Sequence, residues 1–326
     1  MNISGFYLIT EIRKLKKRLK IDCSISFLDY PNIINILSNN KKCKTIISVR
    51  SFKSIQKNIY RSRSKKIELF LMKKLYNRAN SIVTISKGVE NDLVKNFNVN
   101  PKLIQTIYNF FNTNEINNKL KEPLEQEMDH FLKNKKIIIN VGRLDVPKNH
   151  KYLIEEYSRI SSLYPDSILM LVGSGVLEKD LKHFVSNLGL TDRVIFIPYT
   201  NNPFKYLKKA SVFVLSSNFE GFGNVILEAM YSKVPVISTD CLSGPRELIA
   251  NKYDYTRKIN SMEIHNNGIL IPCEKDDKKH CMSQAISLLF DDEALRKQLI
   301  ENAFHFVTEE YDQSNILLQW LNLINK

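Results

Sequence analysis

Three observations predict an α/β protein built from two doubly wound units. Short apolar runs alternate with longer helix-like stretches along the whole chain. The alternation pauses once, over a polar stretch at 112–135, and then restarts on a strand. The 326 residues are too many for one ordinary core and suit two. Short buried strands set between helices indicate parallel sheets covered on both faces.

The first half opens on a helix near 6–20, which carries "RKLKKRLK" from Arg13 to Lys20. A domain of this class normally opens on a strand, so this sheet is expected to lack its first strand or strands. Strand "CSISFL" (23–28), helix "PNIINILS" (31–38) and strand "TIISV" (45–49) follow. A basic helix at about 59–79 leads to strand "SIVTI" (81–85), a helix at about 87–96 and strand "LIQTIY" (103–108). The polar stretch at 112–135 reads as a linker. Beyond it come strands "KIIINV" (136–141), "SILMLV" (167–172), "RVIFI" (193–197), "SVFVL" (211–215), "VPVIS" (234–238) and "GILI" (268–271). A loop and a helix follow each, and the closing helices end the chain. The expected boundaries are 1–115 for a first domain, 116–310 for a second, and 311–326 for a last helix crossing back to the first.

Charge divides the chain at the same place. Residues 1–115 hold 22 Lys+Arg and 7 Asp+Glu, a surplus of 15 positive charges, while the remainder carries 26 and 27. An acidic partner should meet the first half: an anionic membrane face, a pyrophosphate or a nucleic acid. No aromatic-stacking or groove-reading motif supports nucleic acid. The five cysteines are scattered, odd in number and form no C-x-x-C pair, so they read as free thiols in a reducing cytosol. No apolar run is long enough to span a bilayer, and no secretory signal opens the chain.

The second half concentrates its chemistry after strands, where open α/β sheets bind ligands. After 136–141 comes "GRLDVPKNH". Gly142 permits a tight turn, Arg143 and Lys148 supply two permanent cations, and Asn149 is placed to cap the next helix. Two cations beside a helix N-terminus suit a diphosphate. After 167–172, Gly173 and Gly175 flank Ser174 in a fragment of a dinucleotide fingerprint that lacks its third glycine. After 211–215 comes "FEGFGNVILEAM", Phe219 to Met230. Glu220 opens this loop, and Gly221 and Gly223 clear space for a ligand. A helix should start near Gly223 or Asn224, with Glu228 a turn or so inside it. Carboxylates do not favour direct contact with phosphate, but they accept hydrogen bonds from sugar hydroxyls. After 234–238, "TDCLSGPREL" reads as a helix start at Gly244–Pro245; alternatively Ser243, Gly244 and Arg246 shape a sugar pocket. No D-x-D, H-E-x-x-H or P-loop occurs, so no metal site is expected and side chains and helix dipoles must neutralise a diphosphate.

Together "VGRLDVPKNH", "LVGSG", "FEGFGNVILEAM" and "PVISTDCLSGPREL" resemble the family 4 retaining glycosyltransferases of GT-B architecture. The likeness extends more loosely into the first half through "ISFL", "IISVR", "IVTISKGV" and "IYN". It implies two facing Rossmann-like domains, the first apparently truncated at its N-terminus, with a UDP-sugar donor held by the second. By match to the family, Arg143 and Lys148 hold the diphosphate. Glu220 contacts the transferred sugar, and Glu228 binds the ribose. Gly221, Phe222, Gly223 and Asn224 lie along sugar and diphosphate, and backbone near Ile197 and Pro198 reads the base. Glu220 is then a sugar holder rather than a nucleophile, because the family's retention proceeds by front-face displacement. "SGPREL" resembles the subset that builds bacterial surface polysaccharides from galactose- or N-acetylgalactosamine-type donors.

The implied acceptor is a polyprenyl-diphosphate-linked saccharide, met in the cytoplasm at the inner face of the plasma membrane. The basic helix at Tyr60–Ala79 is expected to lie on that surface, with Phe70, Leu71 and Leu75 turned inward or toward lipid. Arg50, at a strand end, is a further phosphate candidate. The alternative is a truncated, inactive UDP-sugar-binding remnant or partner subunit.

Overall fold

The structure, a computed structural model, describes residues 3–40, 42–54, 62–110, 112–251 and 257–325. The backbone divides into two units, Met1–Asn109 with Ser314–Lys326, and Phe110–Gln313.

The first unit holds a four-stranded parallel sheet: β1 (Cys23–Phe27), β2 (Lys44–Val49), β3 (Ser81–Thr84) and β4 (Ile104–Thr106), in the order β1-β2-β3-β4. Ile46, Ile47, Ile82 and Val83 are fully buried in its centre. The opening helix runs Ile3–Arg18 and exposes Phe6 and Tyr7 by 74% and 67%. The helix Asp29–Leu37 buries two asparagines, which act as backbone clamps. The Asn32 amide donates to Ser48 O at 2.8 Å, and the Asn35 amide donates to Ser24 O at 3.1 Å. The expected long basic helix is Arg63–Leu75, continued by a 3₁₀ turn Tyr76–Arg78, with residues 59–61 of that reading outside the described residues. It turns Leu69, Met72 and Leu75 inward and leaves Phe70 60% exposed. The expected strand 103–108 shrinks to three residues, because Pro101 and the Asn100 cap set a 3₁₀ turn at Pro101–Leu103 just before it. The last helix, Gln313–Asn325, packs Ile316 and Leu323 with Ile46, Val83 and Ile107 in this unit's core.

The second unit holds a seven-stranded sheet. Its strands are β5 (Lys136–Val141), β6 (Ser167–Val172), β7 (Val194–Ile197), β8 (Val212–Leu215), β9 (Val236–Thr239), β10 (Glu263–His265) and β11 (Gly268–Ile271), in the order β10-β11-β9-β8-β5-β6-β7. All pairings are parallel except β10 with β11. The sequence reading missed β10, whose three residues are too short for a period-2 pattern to register. The chain builds outward from β5 through β6 to β7, then returns to lay β8 on the other side of β5. That reversal leaves a crevice at the carboxyl ends of β5 and β8, the place where such sheets take ligands.

The stretch 112–135 is not an extended linker. It forms helices Thr113–Lys121 and Gln126–Leu132 within the second unit. The Asn112 side chain caps the first by accepting from Glu115 N at 3.1 Å. Its carboxyl end is tied down by Asn202 Nδ2 on Lys119 O at 2.9 Å and Lys208 Nζ on Leu120 O at 2.7 Å. The polarity that reads as a linker is the outward side of these two helices.

Candidate functional site

Two loops meet at the β5–β8 crevice. After β5, residues 142–145 lead into a 3₁₀ turn Val146–Lys148 and then the helix His150–Ile160. After β8, Ser216–Gly223 lead into the helix Asn224–Tyr231. Two hydrogen bonds join them: Asn218 N donates to Pro147 O at 2.8 Å, and Ser216 Oγ donates to Lys148 O at 2.8 Å.

At this junction Lys148 Nζ lies 2.6 Å from Glu220 Oε1, with both side chains largely buried. Ser217 Oγ donates to the same oxygen at 2.7 Å. Oε2 is left with no partner among the described residues and stands available to a hydroxyl. The pair holds a cation and an anion at one point, suited to a ligand carrying phosphate at one end and hydroxyls at the other. Sequence reasoning assigned Lys148 and Glu220 separately. Their direct contact follows only from the adjacency of β5 and β8, whereas Ser217 reaches Glu220 within its own loop, three residues away.

Glu228 sits on the helix Asn224–Tyr231, in its second turn. Burial pushes its carboxyl above the ordinary glutamate value, opposed by the attraction of Lys119 and Lys148. Among the described residues no donor binds this carboxylate; the one hydrogen bond from a side chain at this residue, Ser232 Oγ at 2.7 Å, goes to its backbone carbonyl. A partly buried carboxylate with no donor gains from a ligand that supplies one. Lys119, on the stretch that reads as a linker, was not legible as part of this site.

The glycines divide into two kinds. Gly223 is the N-cap of the helix Asn224–Tyr231 with φ 91°, a left-handed conformation that a side chain would strain. Gly173 and Gly175 serve packing between neighbouring loops. A Cβ on Gly173 would fall 1.9 Å from Gly142 O, and one on Gly175 2.3 Å from Leu144 O. Gly142 itself would bring a Cβ only to ordinary contact, 3.5 Å from the Lys148 side chain.

Other expected residues are placed differently. Arg143 is 81% exposed and pairs with Asp145 at 3.1 Å. Asn149 takes the N-cap position in the left-handed region without a side-chain cap, and its amide instead donates to Glu274 at 2.7 Å. The Phe222 ring is 2% exposed and packs on Tyr311 with centroids 5.7 Å apart, so this residue offers the site its backbone and not its ring. Asn224 is exposed at the helix start. Ile197 ends β7 with its carbonyl accepting the Gly173 amide at 2.8 Å, and Pro198 beside it is exposed.

The "SGPREL" segment acts as a brace. Ser243 Oγ donates to Gly221 O at 2.7 Å, and a Cβ on Gly244 would fall 1.8 Å from Phe222 O. Arg246 is buried against Asp240. This segment therefore holds the Gly221–Gly223 turn in place from behind. In the first unit, Arg50 at the end of β2 binds the Asn109 side chain and lies 5.8 Å from the Phe27 ring centre.

Comparison with known proteins bears on the family and the fold. The family described as glycosyl transferases group 1 matches residues 124–306, and the one described as glycosyltransferase family 4 matches residues 3–115. A Campylobacter jejuni protein named N-acetylgalactosamine-N,N'-diacetylbacillosaminyl-diphospho-undecaprenol 4-alpha-N-acetylgalactosaminyltransferase is 33% identical over 295 residues, 89% of this chain and 73% of its own. A second C. jejuni alpha-1,4-N-acetyl-D-galactosaminyltransferase is 26% identical over 98% of this chain and 79% of its own. Among solved structures, Anabaena HepE in complex with UDP superposes with a TM-score of 0.78 at 16% identity, over 97% of this chain and 81% of its own. Two Rossmann-like units of this kind make the GT-B fold. The chain belongs to the group 1 glycosyl transferases, its first unit matching glycosyltransferase family 4, and it is a glycosyltransferase.

Proposed function

We propose that this enzyme moves a hexose or N-acetylhexosamine, of galactose or N-acetylgalactosamine type, from a UDP-sugar to a polyprenyl-diphosphate-linked saccharide, with retention at the anomeric carbon. The observation that carries the donor half is the convergence of Lys148, Glu220 and the unpaired Glu228 at the β5–β8 crevice. Lys148 takes the diphosphate, and Arg143 swings in from solvent to share it. Glu228 accepts from the ribose hydroxyls. Glu220, once Lys148 turns to phosphate, accepts from the transferred sugar. Backbone near Ile197 and Pro198 meets the base.

Transfer on one face then balances simply. The bond from the anomeric carbon to the β-phosphate oxygen breaks as the acceptor oxygen bonds to the same carbon. The acceptor's proton passes to the departing phosphate, and UDP leaves. Lys148 and the amino end of the helix Asn224–Tyr231 stabilise the charge that develops on that phosphate.

The acceptor class is supported by the relatives, two of which are named for undecaprenol-linked substrates. The positive surplus of residues 1–115 supports work at an anionic membrane surface, the inner face of the plasma membrane. The association proposed is peripheral; among the described residues no helix is long and apolar enough to cross a membrane. The face best suited to it is the opening helix. Phe6, Tyr7, Leu15 and Leu19 are exposed there beside exposed Lys14, Lys17, Arg18 and Lys20.

The test has two stages. UDP and four UDP-sugars (galactose, N-acetylgalactosamine, glucose and N-acetylglucosamine) are titrated calorimetrically against the protein. The best donor is then offered with a polyprenyl-diphosphate-linked acetylhexosamine in vesicles, and the product anomer is read by NMR. An α-linked product is expected. A β-linked product overturns retention, and failure to bind UDP overturns the donor site. Binding without transfer to any such acceptor favours the donor-binding remnant or partner subunit.

A further inference from the structure

His150 is the first residue of the helix that follows Lys148, and it is 2% exposed. Its Nε2 lies 3.0 Å from Asn140 Oδ1 on β5. The Asn140 amide in turn donates to Val214 O on β8 at 2.7 Å. That donation orients Asn140, so Oδ1 faces the imidazole and Nε2 carries the proton. A continuous chain, imidazole to carboxamide to carbonyl, thus runs beneath the crevice from the end of one loop to the strand that feeds the other.

Ser216 Oγ and Asn218 N hold this turn from the β8 loop, on Lys148 O and Pro147 O, and His150 adds a tie to β5 from the helix side. Asn149, between Lys148 and His150, lies in the left-handed region at φ 50°, a conformation asparagine tolerates, and supplies no side-chain cap to its helix. The other imidazole nitrogen, Nδ1, is buried with no hydrogen-bond partner among the described residues. An apolar side chain in place of the imidazole would remove that unsatisfied acceptor but leave Asn140 Oδ1 without its Nε2–H donor. Burial and the nearby Lys148 charge hold its pKa down, from the ordinary 6.5 to about 4, so the group is neutral at neutral pH.

We propose that His150 is a positioning residue, whose Nε2–H bond to Asn140 sets the turn that aims Lys148 at Glu220 and at the diphosphate of a nucleotide ligand. The inference rests on the donor reading for its ligand, not for its geometry. Glutamine reaches to the same depth and places an N–H donor near the Nε2 position, whereas leucine fills the space without a donor.

The experiment compares wild type, His150→Leu, His150→Gln, Asn140→Ala, Lys148→Ala and the double variant His150→Leu/Lys148→Ala. UDP affinity is read by calorimetry, and amide hydrogen exchange is read for the peptide spanning 142–151 without ligand. His150→Leu is expected to weaken UDP about tenfold and to speed exchange in that peptide. His150→Gln is expected to restore both to within about threefold of wild type. The double variant should bind no worse than Lys148→Ala alone, since His150 acts through Lys148. Asn140→Ala breaks the chain at its middle and serves if His150→Leu does not fold.

The proposal is overturned if folded His150→Leu keeps wild-type affinity and exchange. It is equally overturned if glutamine is as damaging as leucine, or if the double variant loses affinity additively. Should wild type itself not bind UDP, the donor reading fails, and the exchange arm still decides the positioning role.

Discussion

The two units use parallel sheets of similar texture and differ in the order of their strands. In the first, β1 to β4 lie side by side in chain order, so among the described strands there is no reversal. In the second, β8 returns to the far side of β5, and the two loops at that reversal bring Lys148, Ser217 and Glu220 together. Charge runs the other way. The first 115 residues hold the whole positive surplus, while the unit with the crevice belongs to a nearly neutral remainder. On the donor site proposed above, the contrast implies that bulk charge does not mark where a diphosphate binds: one largely buried lysine at a strand reversal is there expected to outweigh many exposed ones.

The comparison breaks if the basic surface also drives donor binding. Replacing Lys14, Lys17, Arg18 and Lys20 by serine should lower partition onto phosphatidylglycerol-containing vesicles by roughly 10²–10³-fold, at about 1 kcal/mol per charge. Calorimetric UDP affinity of the same variant should stay unchanged; a parallel loss would show that both units share one anion site. The opposite variant sharpens the contrast. Lys148→Ala should weaken UDP about a hundredfold, the scale for removing a charged partner from a covered site, and leave vesicle partition as it was. Arg143→Ala, at an exposed position, should cost only about threefold.

A smaller effect separates binding from stability within the second unit. Burial raises the Glu228 pKa. A carboxyl whose folded pKa exceeds its unfolded one binds more protons when folded. Its contribution to stability therefore falls as pH rises from the ordinary glutamate value through the raised one, and stays low above it. Glu228→Gln should then raise the melting temperature at pH 7 without ligand while weakening UDP about tenfold. Equal melting at pH 7 and a flat pH dependence of the difference would remove the desolvation argument.

Much of this site was legible because its residue types are chemically narrow. Glu220, Lys148 and Glu228 stand in loops or helix starts after recognisable β-branched strands, and the Gly223 helix start falls where the glycine turn places it. Gly244 was legible as the helix start before Pro245, but the close packing of Gly173 and Gly175 on neighbouring carbonyls and the buried Phe222 ring were not. A glycine that clears room for a ligand and one that clears room for a neighbouring carbonyl look alike along a chain, and an aromatic beside a loop glutamate gives no sign that its ring points into the core. Lys119 carried no signal because it acts on Glu228, a residue brought near only by folding, and Ser217 carried none because a lone loop serine three residues from Glu220 marks no particular bond. The stretch 112–135 was misread because solvent-facing helices and linkers share a composition.

The sequence by itself determined the alternation of strands and helices, the two units, the family and the candidate residues of the site. Local pattern suffices for these, since periodicity and residue chemistry act over a few positions. The tertiary structure decided which of those residues meet. It paired Lys148 with Glu220, left Glu228 partly buried with no donor among the described residues, turned Arg143 outward and set His150 on Asn140. The reason is that strand order and burial are long-range properties: the side of β5 on which β8 lies selects the contacts, and the water excluded there sets what each charge is worth.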